Sequence, residues 1–172
     1  MIRILKNSLQ KGNLNLPLDG INSESIQEIE KAGGELQSLI RARFGRSLHI
    51  REVDTGSCNG CESEIISCTN PIYDIQRFGV DFVASPRHAD ALLVTGPVSK
   101  NMVIALQKTY AAMPEPKFVI TLGDCALDGG LFKESYYTAA GVANVLPVAL
   151  HIPGCPPHPL RIMQYLIAFL KK

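Results

Sequence analysis

The sequence predicts an α/β fold, a parallel sheet with helices on both faces, preceded by an N-terminal arm and a helix. Three observations lead to it. Five short runs rich in Val, Ile and Leu are each followed by turn residues. Helical periodicities fall between several of these runs, and strands of this kind alternating with helices build parallel sheets. The chain has 172 residues, 46% of them hydrophobic, which suits one domain with a sizeable core.

The elements follow in order. Residues 1–22 form a poorly patterned arm broken by Gly12, Pro17 and Gly20. A single domain is expected over residues 23–172. It begins with a helix from Ser23 to Arg43, where Ile26, Ile29, Leu36, Leu39 and Ile40 give an apolar stripe. Ser25 and Glu28 have capping-box spacing, and Gly33-Gly34 weakens the middle. Strands are expected over Ser47–Val53, Val80–Ser85, Ala91–Gly96, Phe118–Gly123 and Pro147–Gly154. A short helix ends near Cys68. Helices are expected over Val98–Met113 and Pro157–Leu170, each with apolar residues at helical spacing.

Composition excludes several classes. The formal net charge is +1 and tryptophan is absent, so there is no electrostatic footprint or stacking platform for nucleic acid. No signal-peptide pattern opens the sequence, and no apolar run has the length of a bilayer span. An intracellular protein is expected, and in that compartment cysteines serve metals or catalysis more often than disulfides. There are five: Cys58, Cys61, Cys68, Cys125 and Cys155.

Their placement is informative. Sites in open α/β sheets form at the carboxyl ends of the strands. Cys58 and Cys61, spaced C-x-x-C, follow the first strand; Cys125 follows the fourth and Cys155 the fifth. Parallel strands bring all four thiols to one edge. Cys68 breaks the pattern and reads as a small core residue. Structural zinc prefers paired knuckles, and the second half here is two single cysteines from distant loops. His49, His88, His151 and His158 show no ligand spacing with one another. Four thiols from three loops suit a [4Fe–4S] cluster. Gly56, Gly60, Gly123 and Gly154 stand near the ligands and allow close backbone approach. A thioredoxin-like dithiol needs no further cysteines, and a phosphate loop lacks its Lys-Ser/Thr.

The segments CNGCESE, YDIQRFGV, SPRHADALLVTGPV, GDC-x-x-x-GG (Gly123 to Gly130) and IPGCPPHP together resemble a known family. It is the small subunit of membrane-bound, energy-converting [NiFe] hydrogenases of the formate hydrogenlyase type. The homologous cluster-bearing subunit of respiratory complex I is similar too. The resemblance covers about Phe44 to Leu170. It implies a flavodoxin-like domain holding one proximal [4Fe–4S] cluster on Cys58, Cys61, Cys125 and Cys155. It also implies electron transfer between the nickel–iron centre of a large subunit and a ferredoxin-like iron–sulfur subunit. Membrane subunits are reached through the complex, which sits on the inner face of the cell membrane. The complex I-type alternative passes electrons to quinone. Its members typically carry adjacent cysteines at the first motif, whereas this chain has Cys58-Asn59-Gly60-Cys61. Asp124 and Cys68 depart from the usual small or aliphatic residues of the family.

Further residues are candidates for supporting roles. The resemblance places Arg87 and His88 close to the cluster, with Arg87 donating to sulfur and His88 coupling a proton. The plainer reading is a solvated surface turn. Glu62 and Glu64 follow the ligand pair and are candidate proton carriers. Their plainer reading is favourable charge at a helix N-terminus.

Overall fold

The structure, a computed structural model, describes residues 23–172. The arm, residues 1–22, and the Ser25 side of the expected capping box lie outside the described residues. The first helix, α1, spans Ser23–Phe44 and runs through the glycine pair without a break. The reason lies across the interface. A Cβ at Gly33 would overlap the Phe78 ring, so the missing side chain makes room for an aromatic one. Arg77 stacks over that same ring, pairs with Glu30, and its carbonyl accepts from Gln37 Nε2 at 2.9 Å. Burial of Phe78 offsets the helix cost of glycine, about 1 kcal/mol.

The remaining elements are β1 (Leu48–Asp54), α2 (Gly60–Cys68), β2 (Val80–Phe82), β3 (Ala91–Thr95), α3 (Lys100–Ala111), β4 (Phe118–Leu122), α4 (Asp124–Asp128), β5 (Leu150–Ile152) and α5 (Pro159–Leu170). The five strands form one parallel sheet in the order β2-β1-β3-β4-β5. That is the flavodoxin-like order, with its switch point between β1 and β3. Every residue of β3 is buried, as a central strand covered on both faces requires.

Alternation along the strands feeds two cores. Ile50, Leu93, Ile120 and Ile152 face one side, where Leu36 and Ile40 of α1, Ile65 of α2 and Ile162, Met163 and Leu166 of α5 cover them. Leu92, Val94 and Val119 face the other, against Leu106 of α3, Ala126 of α4 and Val142. Helices thus lie on both faces, as the sequence predicts. Among the described residues no helix is long and apolar enough to cross a membrane.

Two strands are shorter than expected. β2 stops at Phe82, because after Val83 the chain leaves the sheet for a 3₁₀ turn at Pro86–His88. β5 pairs with β4 only over Leu150–Ile152, since the chain on either side belongs to loops.

Candidate metal centre

Three loops at the carboxyl edge of the sheet build the site. The first is pinned before it reaches its cysteines. Asp54 Oδ1 accepts from the Gly56 and Ser57 N–H groups at 2.7 Å each, a turn closed by its own aspartate. The buried Thr55 hydroxyl donates to the Thr95 carbonyl at 2.7 Å and ties the turn to β3. Ser57 Oγ then accepts from the Asn59 N–H at 3.0 Å, and α2 starts at Gly60 between the two cysteines. The second and third loops are joined to each other. The Asp124 N–H donates to the Gly154 carbonyl at 2.9 Å, and Asp124 Oδ1 accepts from the Gly154 N–H at 2.8 Å. Asp124, which departs from the family pattern, therefore fixes the Cys125 loop against the Cys155 loop.

Cys58, Cys61, Cys125 and Cys155 line one pocket of about 100 Å³, with Pro97, Phe132 and Pro156 at its walls. Cys58 and Cys155 are exposed at the rim, and Cys61 and Cys125 are partly buried. The loops approach closely. A Cβ on Gly123 would stand 2.6 Å from Cys61 Sγ, and one on Gly130 would stand 3.0 Å from Cys125 Sγ. Gly123 also adopts φ 84°, a region that side chains disfavour. Gly130, the last residue of the GDC-x-x-x-GG segment, was not among the glycines read as neighbours of the ligands because it lies five residues beyond Cys125.

The electrostatics are those of thiols crowded without a cation. Burial pushes the Cys61 thiol up to about 12, and the charges of Glu62, Cys58, Cys125 and Cys155 add to the effect. Burial also raises Cys125, with Cys155 and Cys58 contributing. Four mutually repelling thiolates become favourable when a positively charged metal core sits among them. Among the described residues no three His, Cys, Asp or Glu side chains converge where a single metal ion would sit. The four cysteines line the pocket, and glycines stand close to the sulfurs of Cys61 and Cys125. That donor set fits a multi-metal cluster with cysteines on different corners, such as [4Fe–4S].

The other candidate residues are scattered. Cys68 is 1% exposed and packs in the core below α2, as a small apolar residue would. Glu62 and Glu64 do not line the cysteine pocket. Glu62 accepts from Ser57 Oγ at 2.6 Å. Glu64 bears on Cys68 and Tyr73, whose protonated forms its charge favours. Arg87 and His88 do not line the pocket, and their turn lies beside the start of β1. The His88 carbonyl is 3.1 Å from His49 Nδ1, and the Asp90 N–H donates to the His49 carbonyl, both at the start of β1. A crossover between parallel strands must return to the amino edge, and these residues occupy the end of that return. Both are exposed, and Asp90 is held by Arg46 rather than by His88.

Comparison with known proteins agrees with this geometry. The family described as "NADH ubiquinone oxidoreductase, 20 Kd subunit" matches residues 58–169. The chain is 42% identical over 151 residues to "Probable membrane-bound hydrogenase subunit mbhJ" of Pyrococcus furiosus, covering 88% of each. It is also 42% identical over 155 residues to an NADH-quinone oxidoreductase subunit of Desulfovibrio desulfuricans, covering 88% of this chain and 81% of the relative. Among solved structures it resembles a chain of the membrane-bound sulfane sulfur reductase, an archaeal respiratory membrane complex. There the TM-score is 0.66 at 30% identity, over 78% of this chain and 74% of the other. The chain belongs to the family of the NADH ubiquinone oxidoreductase 20 Kd subunit, a family of oxidoreductase subunits.

Proposed function

We propose that the chain is the electron-transfer subunit of a membrane-associated [NiFe] hydrogenase complex. In this reading Cys58, Cys61, Cys125 and Cys155 hold one [4Fe–4S] cluster. The observation that carries it is the delivery of four thiols from three loops into one pocket. When bound, the cluster supplies one-electron transfer. The chain's own residues position it: Asp54 and Thr55 fix the first loop, Asp124 locks the other two, and Gly123 and Gly130 admit the sulfurs. Glu62, joined to the first loop through Ser57, is the better placed of the two glutamates to move a proton near the site.

In this reading the chain works as one subunit of an oxidoreductase complex, as its relatives are named, and a partner subunit holds the catalytic metal. Beside the pocket, Leu131 is 93% exposed and Tyr136 83%, with Leu127, Phe132 and Tyr137 also exposed. Phe132 lines the pocket, and the other four exposed apolar residues lie within five positions of it along the chain. Patches of this kind mark protein interfaces. We assign it to a large subunit carrying a nickel–iron centre, with a ferredoxin-like subunit receiving the electrons. Membrane attachment comes through the complex, whose relative in Pyrococcus furiosus is named membrane-bound.

The second reading is a complex I-type subunit that delivers electrons to quinone. The equal identity to an NADH-quinone oxidoreductase subunit favours it. Metal analysis and low-temperature EPR on the anaerobically purified complex separate the readings. Nickel, about four irons per copy of this chain, and a reduced-cluster signal lost in Cys125→Ala are the expected results. The same signal without nickel moves the function to quinone or another acceptor. An iron-free anaerobic preparation overturns both.

A further inference from the structure

Next to the cysteine loops is a second cavity, of about 380 Å³, lined by Arg51, Glu52, Glu62, Ile65, Phe82 and Val83 among others. It exists because β2 ends at Phe82. Opposite Leu48–Ile50, β1 has a partner on that side; from Arg51 onward its outer edge is open. An open strand edge presents unpaired backbone groups to water. Two buried side-chain atoms in this cavity also lack a partner, Arg51 Nε and Glu62 Oε1. Buried polar atoms are ordinarily hydrogen-bonded, and in a roomy polar cavity water supplies the bond. The other Glu62 oxygen accepts from Ser57 Oγ, which in turn accepts from the Asn59 N–H between the two cysteines. The cavity therefore connects open solvent to the Cys58–Cys61 turn through polar groups.

Glu52 lies in this cavity, and Thr95 Oγ1 on β3 is 3.5 Å from its Oε1. We propose that the cavity is a water-filled proton port, and that Glu52 binds the proton that accompanies reduction of the iron–sulfur centre. This rests on the cluster reading given above. The groups that face Glu52 are Glu62 from α2, Thr95 from β3, and Asp54 and Arg51 from its own strand, while Phe82 and Val83 bring no charge. Burial, then Glu62 and Asp54, hold its carboxyl above the usual range, against Arg51 and Thr95. The step balances simply. One electron leaves a centre of the neighbouring redox subunit and adds negative charge beside Glu62 and Glu52. One proton from water in the port goes onto the Glu52 carboxylate. Reoxidation releases both. Glu52 thus compensates the added charge, and the hydrogen bonds of Glu62 to Ser57 and of Ser57 to Asn59 join the port to the ligand turn.

The test is an EPR-monitored redox titration of the anaerobic complex across pH. The native cluster potential is expected to fall as pH rises; a full slope is tenfold in proton binding per pH unit, about 59 mV for one electron. Glu52→Gln loses the slope, and Glu52→Asp retains it. The reduced-minus-oxidised infrared spectrum loses a protonated-carboxyl band in Glu52→Gln only. A native potential independent of pH, or a slope unchanged in Glu52→Gln, overturns the port while the cluster signal leaves the proposed function standing. A native complex with no cluster signal overturns both.

Discussion

At Gly123 a single hydrogen atom decides whether two loops can meet. Its φ of 84° and the 2.6 Å between a built Cβ and Cys61 Sγ make alanine doubly unfavourable. Gly123→Ala is expected to lower stability by about 1–3 kcal/mol, from backbone strain alone. It should also reduce iron per chain, measured by metal analysis beside thermal unfolding of the same preparation. A variant with native iron content and unchanged melting would remove this glycine from the site. The convergence of the four cysteines was legible in the sequence because the loops that carry them follow strands, and parallel strands share a carboxyl edge. Arg87 and His88 do not line the cysteine pocket. They also follow a strand, but their loop has already travelled back to the amino edge by the time it reaches them. Glu52 was invisible, because an acidic residue within a strand reads as a solvent-facing position until the short β2 is seen to leave a cavity beside it.

Among the elements, α1 shows how a local rule yields to packing. A glycine pair in mid-helix signals a break, yet the helix continues because Phe78 occupies the space above Gly33. Gly33→Ala should destabilise the fold by about 1–3 kcal/mol through overpacking, despite alanine's better helix propensity. Phe78→Leu in the same chain should recover part of that loss. Denaturant midpoints of the two single variants and the double variant measure the coupling, and simple additivity would sink this account. The long helices and the three strands β1, β3 and β4 were legible from periodicity. The short α4 was not, since Asp124–Asp128 is little more than one turn and its role is to carry Cys125. β5 was read as eight residues because Pro147–Gly154 is mostly apolar, while pairing with β4 involves three.

For the whole molecule, the strand order β2-β1-β3-β4-β5 could not be read from composition, because runs of Val, Ile and Leu do not say which neighbours pair. Nor could the exposure of Leu127, Leu131, Phe132, Tyr136 and Tyr137, since apolar side chains in a short segment read as core until the fold leaves them in solvent. Leu131→Asp with Tyr136→Asp is expected to weaken assembly with the large subunit. Folding stability should stay within about 0.5 kcal/mol, as for surface changes generally. Co-purification and the chain's own melting temperature measure the two separately. Full assembly of the double variant would place the partner elsewhere.

The Asp124–Gly154 bonds that join the second and third loops also set an order of events in the cell. The ligands reach from Cys58 to Cys155 along the chain, so they meet only after β1, β4 and β5 are in place, and loop closure of that length is unfavourable before the sheet exists. In the proposed reading, a cluster would enter a sheet that has already formed. The exposed thiols of Cys58 and Cys155 are the entrance, and the apolar patch at its rim is the surface a large subunit would cover. In that reading, folding would precede loading and loading would precede capping, so a chain capped too early would be locked out of its metal.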